Sequence, residues 1–435
     1  MAEERSRGAM LGGDGEMMTD DVVITGIGAV TPLGLDRDST WQGLLAGKSG
    51  VGPVTAFDAG ALPTRIAAEV RGFAPAEHFT GKQLRRMARF SQFAVVATRE
   101  AVADAGLTVD AGNAARVGVV VNAAVAGFDT VEATVRGLLA AEPTAPLSHF
   151  VPSSLTNMPA CEVAIEVGAH GPVNASALAC ASGAYALLDA RRLILSGEAD
   201  VVICGGTDAA ITPAMFAGLV SMGAMSQRND DPTGASRPFA ADRDGFVFGE
   251  GAVILVLESA AYARRRGATP YATVAGGALT SDAFHVSAPR PGGVFAAEAI
   301  RQALDRSGVH PDEVDYICAH GTSTKANDLT ETVAIRAALG AAADRVAVSA
   351  PKSMLGHLIG AAGALGAMVC ALAIREGVVP PTVNLHQPDP DCDLDYVPHQ
   401  ARETPVRAAL TNAFGFGGQN CVVVFTDTPS RGESG

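Results

Sequence analysis

Unbroken apolar runs alternate along this chain with stretches in which apolar positions recur every three or four residues. The runs "DVVITGIGAV" from Asp21, "ARVGVVVNA", "ADVVICGG" and "GAVILVLE" are nearly continuous, the pattern of strands covered on both faces. Between them lie amphipathic stretches such as "SQFAVVATREAVADAG", which predict helices. The alternation predicts an α/β chain of layered sheets and helices. The "GIG" of the first run is weak as a nucleotide-binding fingerprint, because the third glycine is missing and "VTPLG" follows instead of a helix start.

Two distant segments share one plan. "PVNASALACASGAYALLDARRLIL" and "RVAVSAPKSMLGHLIGAAGALGAMVCALAI" each run from strand through a short loop into an Ala/Gly-rich helix with little charge. Later, "ADVVICGGTDAA" and "AALTNAFGFGGQNCVVVF" also correspond. A duplicated α/β unit follows, with its boundary near 265–270, where "RRRGATPYATVAGG" begins a new strand. The expected organisation is an N-terminal half over 21–268 and a C-terminal half over 269–428. A flexible tail is expected over 429–435. Residues 1–20 mix charge and glycine without an apolar core, which fits neither signal nor transit peptide. They read as a disordered extension, or as upstream of a true start at Met18.

Bulk composition narrows the function. Of 435 residues 48% are hydrophobic and 18% charged, so much of the chain should be interior or subunit interface. No apolar run reaches the ~18 residues of a membrane span, so burial is expected and a membrane is not. A net charge of −14 argues against nucleic acid or an anionic surface as partner. Seven scattered cysteines without CxxC spacing suggest neither disulfides nor metal, and fit a reducing cytoplasm. Lysine is rare: Lys48, Lys82, Lys325 and Lys352 are the only four, which draws attention to Lys352 in a glycine-rich motif.

Three strand-to-helix junctions carry reactive side chains. Cys180 sits in "ACASG", where the positive end of a helix dipole favours thiolate over thiol. A lone cysteine is more often a small buried hydrophobe. However, His320 stands in "HGTST" after the strand "VDYICA", and His357 in "KSMLGH", five residues beyond Lys352. In a layered α/β fold such junctions gather at one sheet edge, where ligands bind. "NAFGFGGQN" is a fourth element. It reads either as a tight turn whose glycines take positive φ, or as exposed backbone that stabilises an oxyanion beside a movable Phe416.

In this order, "ACASG", "HGTST", "KSMLGH" and "FGFGG" resemble the β-ketoacyl synthases of the thiolase superfamily, over essentially residues 21–428. The resemblance implies a thiolase-like fold, duplicated βαβαβαββ halves in five αβαβα layers. It also implies decarboxylative Claisen condensation of a Cys-bound acyl chain with malonyl-acyl carrier protein. Cys180 would carry the acyl thioester, and His320 and His357 would donate hydrogen bonds to the malonyl thioester carbonyl. Lys352 would orient the site electrostatically. Backbone N–H groups of Cys180 and Phe416 would form an oxyanion hole, with Phe414 and Gly415 in the same gating loop. Val125, Met158, Phe216 and Leu219 fall in segments that line the acyl tunnel or dimer face in relatives. No metal or cofactor is expected, since the substrates ride on the phosphopantetheine of acyl carrier protein.

"RNDDPTGASRPFAADRDGFVFGEGA" and "PDPDCDLDYVP" look most like the ketosynthase alpha subunits of type II polyketide synthases, which pair with a chain-length factor. The alternative within the family is the homodimeric fatty-acid 3-oxoacyl-acyl carrier protein synthase II. A non-catalytic scaffold or chain-length-factor-like subunit is disfavoured by Cys180. A thiolase would use a second cysteine, and Cys421 reads instead as a buried strand residue. Leu178 stands where the family usually has threonine, and Gln419 and Asn420 lean towards the fatty-acid enzymes. Gly366 stands where the family usually has a glutamate that pairs with the lysine. Glu331 and Asp328 are then the candidate partners of Lys352.

Overall fold

The computed structural model describes residues 21–141 and 147–428, so the expected extension over 1–20 and tail over 429–435 lie outside the described residues. The first half begins with β1 (Val22–Val30), α1 (Arg89–Asp104) and β2 (Val117–Asn122). It continues with α2 (Phe128–Leu139), α3 (Met158–Val167), β3 (Val173–Asn174) and α4 (Ser182–Leu195). It ends with β4 (Val201–Asp208), α5 (Pro213–Ser221) and β5 (Gly251–Ser259). The second half holds β6 (Ala272–Ser281), α6 (Val294–Ser307), β7 (Tyr316–Cys318) and α7 (Lys325–Leu339). There follow β8 (Ala347–Ser349), the single turn α8 (Lys352–Leu355), α9 (Ala362–Glu376), β9 (Ala408–Gly415) and β10 (Gln419–Thr426).

The duplication is explicit in the strand order, β8-β7-β9-β10-β6-β1-β5-β4-β2-β3. Each strand of the first half finds its counterpart five strands later. In both halves the first strand pairs antiparallel with the last, while the second lies parallel to the third and fourth. Among the described residues the two half-sheets are joined through the pairs Val23↔Thr273 and Ile24↔Ala272.

Burial explains the layering. One apolar cluster lies between the half-sheets and includes Leu187, Leu188, Leu365 and Met368; two others fill the spaces under α1 and α3 and under α6 and α7. The order is therefore helices, half-sheet, α4 with α9, half-sheet, helices: the five layers of the thiolase-like fold. Every residue from Ala362 to Ile374 of α9 is buried. The stretch Ile359–Glu376 has, contrary to the sequence expectation, the length and composition of a membrane span, but 89% of it is buried inside the protein. The two middle helices cross on glycine. A Cβ on Gly183 would lie 2.7 Å from Ala364 N, and one on Gly363 would lie 2.4 Å from Ala184 N.

Candidate active site

The crossing of α4 and α9 brings their N-termini together. Each helix is entered through a 3-10 turn whose first residue is a non-glycine in the left-handed region, Ala179 (φ 48°) before α4 and Ile359 (φ 50°) before α9. Such backbone costs ~1–3 kcal/mol and persists where packing dictates it. The next residue is Cys180 in one half and Gly360 in the other, so the duplicated elbow carries a thiol once. Asp208, at the end of β4, fixes the Gly360 elbow to the loop after β2: it accepts from Ala124 N (3.0 Å), Val125 N (3.1 Å) and Gly360 N (2.7 Å). Nothing in the sequence marked Asp208 beyond its position at a strand end.

Cys180 is buried, and the N–H groups of Phe416 and of Cys180 itself are directed at its sulfur. Burial pushes the thiol up to about 11, against the pull of Lys352 and those N–H groups. The expected dipole-stabilised thiolate is thus outweighed by desolvation, and the resting group is a thiol. Gly415 must be a glycine: a Cβ there would lie 2.5 Å from Leu178 O. Gly417 (φ 88°) and Gly418 (φ 77°) then close the β9–β10 hairpin and leave Phe416 partly exposed.

His320 and His357 face each other, ring centroids 5.5 Å apart, with Phe414 5.6 Å from His320 and Phe246 5.7 Å from His357. His357 Nδ1 accepts from Ile359 N (3.2 Å), which puts the proton on Nε2. Burial and the nearby Lys352 charge hold both histidines well below their ordinary range, so both are neutral. Two neutral imidazoles side by side can donate to one oxyanion without like-charge repulsion.

Lys352 is itself buried, which lowers its affinity for a proton. The expected carboxylate partners do not meet it in an ion pair among the described residues. Glu331 accepts from His320 N (2.8 Å), Gly321 N (2.8 Å) and Asn412 Nδ2 (3.0 Å), fastening the "HGTST" turn to β9. Asp328 accepts from Phe239 N (2.8 Å) and pairs with the buried Arg243 (3.4 Å), which also binds Asp389 (2.6 Å). Both carboxylates act on Lys352 through space only. Arg243, Asn412 and Asp208 fall inside the quoted motifs, but their part in holding loops was not assigned from the sequence.

One cavity of about 580 Å³ joins these groups: Cys180, His320, His357, Phe414, Gly415 and Phe416 line it. Val125 and Leu219 line its apolar side. Phe216 is fully buried behind them against Phe57 and Phe248, and Met158 lies away from the cavity, half-buried at the first residue of α3. Cys421 is a wholly buried residue of β10. A buried thiol, two neutral imidazoles and paired N–H groups on one cavity suit acyl transfer through a thioester.

Known proteins agree. The Beta-ketoacyl synthase, N-terminal domain, matches residues 19–263, and the C-terminal domain of that family matches 271–386. The 3-oxoacyl-[acyl-carrier-protein] synthase 2 of Synechocystis sp. is 48% identical over 93% of this chain and 97% of its own length. Its namesake from Coxiella burnetii is 44% identical over 93% and 98%. Among solved structures, the ishigamide ketosynthase/chain length factor superposes with a TM-score of 0.88 at 38% identity, covering 94% of this chain and 99% of that one. A type II PKS acyl-carrier protein in complex with its ketosynthase gives 0.86 at 33%, covering 94% and 99%. The chain belongs to the β-ketoacyl synthase family, and is an acyltransferase that makes 3-oxoacyl-[acyl-carrier protein] by condensation.

Proposed function

We propose that this synthase extends fatty acyl chains, as a homodimeric 3-oxoacyl-acyl carrier protein synthase II, rather than building a polyketide with a chain-length factor. The observation that carries this reading is the 48% identity, over nearly the whole of both chains, to a protein named for that activity. Gln419 and Asn420 support it: Asn420 Nδ2 donates to Asp282 Oδ1 (2.9 Å), tying the hairpin to the loop at the cavity mouth. The polyketide reading keeps one supporting observation, the superposition on a ketosynthase/chain length factor at 38% identity.

In the proposed cycle an acyl thioester on carrier protein enters with its carbonyl oxygen between the N–H groups of Cys180 and Phe416. The Cys180 sulfur attacks, the phosphopantetheine thiol leaves, and the chain lies along Val125 and Leu219. Malonyl-acyl carrier protein then places its thioester oxygen between His320 Nε2 and His357 Nε2. Loss of CO2 leaves an enolate held by these two donors, and its carbon attacks the Cys180 thioester. The new carbon–carbon bond releases the sulfur and yields the 3-oxoacyl product.

The test supplies the purified chain alone with saturated acyl carrier proteins and malonyl-acyl carrier protein, and identifies products by mass spectrometry. A single two-carbon extension by a stable homodimer is expected. Repeated extension without reduction, or activity only with a second ketosynthase-like chain, would move the assignment to polyketide synthesis.

A further inference from the structure

Lys352 acts on every reactive group of the site. Burial first and then Lys352 keep both histidines neutral, and Lys352 draws Cys180 down from the value burial would impose. A buried cation needs a counter-charge, or it gives up its proton. Glu331 and Asp328 are already committed to other donors and to Arg243. A longer side chain from Gly366 is blocked, since its Cβ would lie 2.1 Å from Thr411 Oγ1. The space is occupied by Thr411 and by Cys318, whose Sγ lies 3.5 Å from that same Cβ position.

Cys318 is placed for a role there. It is the last residue of β7, paired in register with Ser349 of β8 and with Thr411 of β9. Lys352 follows three residues after Ser349, so Cys318 and the turn that carries Lys352 stand at the same ends of neighbouring parallel strands. Cys318 is buried, and its sulfur is surrounded by hydrogen-bonding side chains: Cys370 from α9, Tyr316 from its own strand and Thr411. Tyr316 is in turn fixed by Ser349 Oγ (2.8 Å).

We propose that Cys318 is the counter-ion of Lys352, a positioning residue that gives its S–H proton to the amine and remains as thiolate beside the ammonium. The proton moves from Sγ to Nζ and the pair stays neutral overall. The assignment deepens the condensing-enzyme reading and rests on it only for its consequence. Other charges facing Lys352 are Glu331 and Asp328 from α7 and Cys180 from the turn before α4; those facing Cys318 are Lys352, Cys370 and Tyr316. Cys318 is held below the ordinary thiol range, first by the Cys370 donor and then by Lys352, against its burial. Burial instead pushes Cys180, Cys204, Cys370 and Cys421 up. Cys318 is also the largest of the influences that keep Lys352 protonated.

The test reads ionisation directly. In a Cys180→Ser background, the ultraviolet thiolate band at neutral pH should fall by one equivalent on adding Cys318→Ser, and equally on adding Lys352→Met. An unchanged band in both double variants would show a neutral pair and overturn the proposal. With Cys180 intact, Cys318→Ser should slow iodoacetamide alkylation of Cys180 about tenfold, the effect of one pKa unit. Cys318→Asp, which restores a negative charge, should return the rate towards wild type. Serine keeps the side-chain size, and thermal melts confirm folding of each variant. A wild-type alkylation rate in Cys318→Ser would also defeat the idea. Neither readout involves acyl chain or carrier protein, so an error about the substrate leaves both unchanged.

Discussion

Ala179 holds a left-handed backbone so that the sulfur of the next residue can meet the N–H of Phe416 from another half of the chain. Chemistry at this scale is sensitive to single atoms. Cys180→Ser should abolish acyl loading, because an alcohol cannot replace the sulfur nucleophile; intact-protein mass spectrometry should show no adduct. His320→Ala and His357→Ala should still load, yet each should lose malonyl decarboxylation by ~10²–10³, measured as CO2 release. The pH dependence separates the two functions. With the thiol at about 11, alkylation of Cys180 should rise about tenfold per pH unit from neutrality towards 10, whereas depressed histidines stay neutral and leave the enolate site flat between about pH 7 and 8. Cys180, His320, His357 and Lys352 were legible in the sequence because reactive residues at strand-to-helix junctions are few and stand out. The roles of Asp208, Arg243 and Asn412 were not, although their motifs were, because a polar residue that binds groups from distant loops has no local signature of its partner. Glu331 and Asp328 were legible as charges near Lys352, but not their commitment to other donors, which depends on contacts between distant loops.

Among the elements, the elbows and middle helices matter most. Asp208 ties the end of β4 to the loop after β2 and to the Gly360 elbow, and its burial raises its carboxyl to about 6 from 3.8. A folded value above the unfolded one means that this group's contribution is fully present below about pH 4 and is lost as pH rises through 6. The stability advantage of wild type over Asp208→Asn should therefore shrink by about 3 kcal/mol between those limits, followed by urea unfolding. At the helix crossing, Gly363→Val would drive carbon into Ala184 N, and overpacking of this kind costs ~1–3 kcal/mol or more. A lowered melting temperature with unchanged secondary structure is the expected outcome. The apolar strands and helices were readable from periodicity, and paired segments revealed the duplication. Strand order was not readable, and β3 and β8, with two and three residues, are too short to carry any pattern.

Several of the apolar side chains exposed on the whole molecule come from elements that touch one another. Leu138 and Leu139 of α2, Val151 and Leu155, Ile165 of α3 and Val173 of the edge strand β3 are all uncovered in the single chain. Adjacent exposed apolar groups around an open sheet edge mark an interface between subunits. Native mass spectrometry of the purified chain should show a dimer, and Ile165→Asp with Leu155→Asp should shift it to monomer; a monomeric wild type would refute this surface assignment. The shared middle layer has a consequence for biosynthesis. Helix α4 leaves the ribosome with its apolar face uncovered, because its partner α9 is encoded roughly 180 residues later, an interval on the order of 10–40 s at ordinary elongation rates. Through that interval the helix that follows Cys180 is bare hydrophobic surface, so the nascent first half is a natural client for chaperones, and Cys180 reaches its buried setting only after the last helix of the pair has emerged.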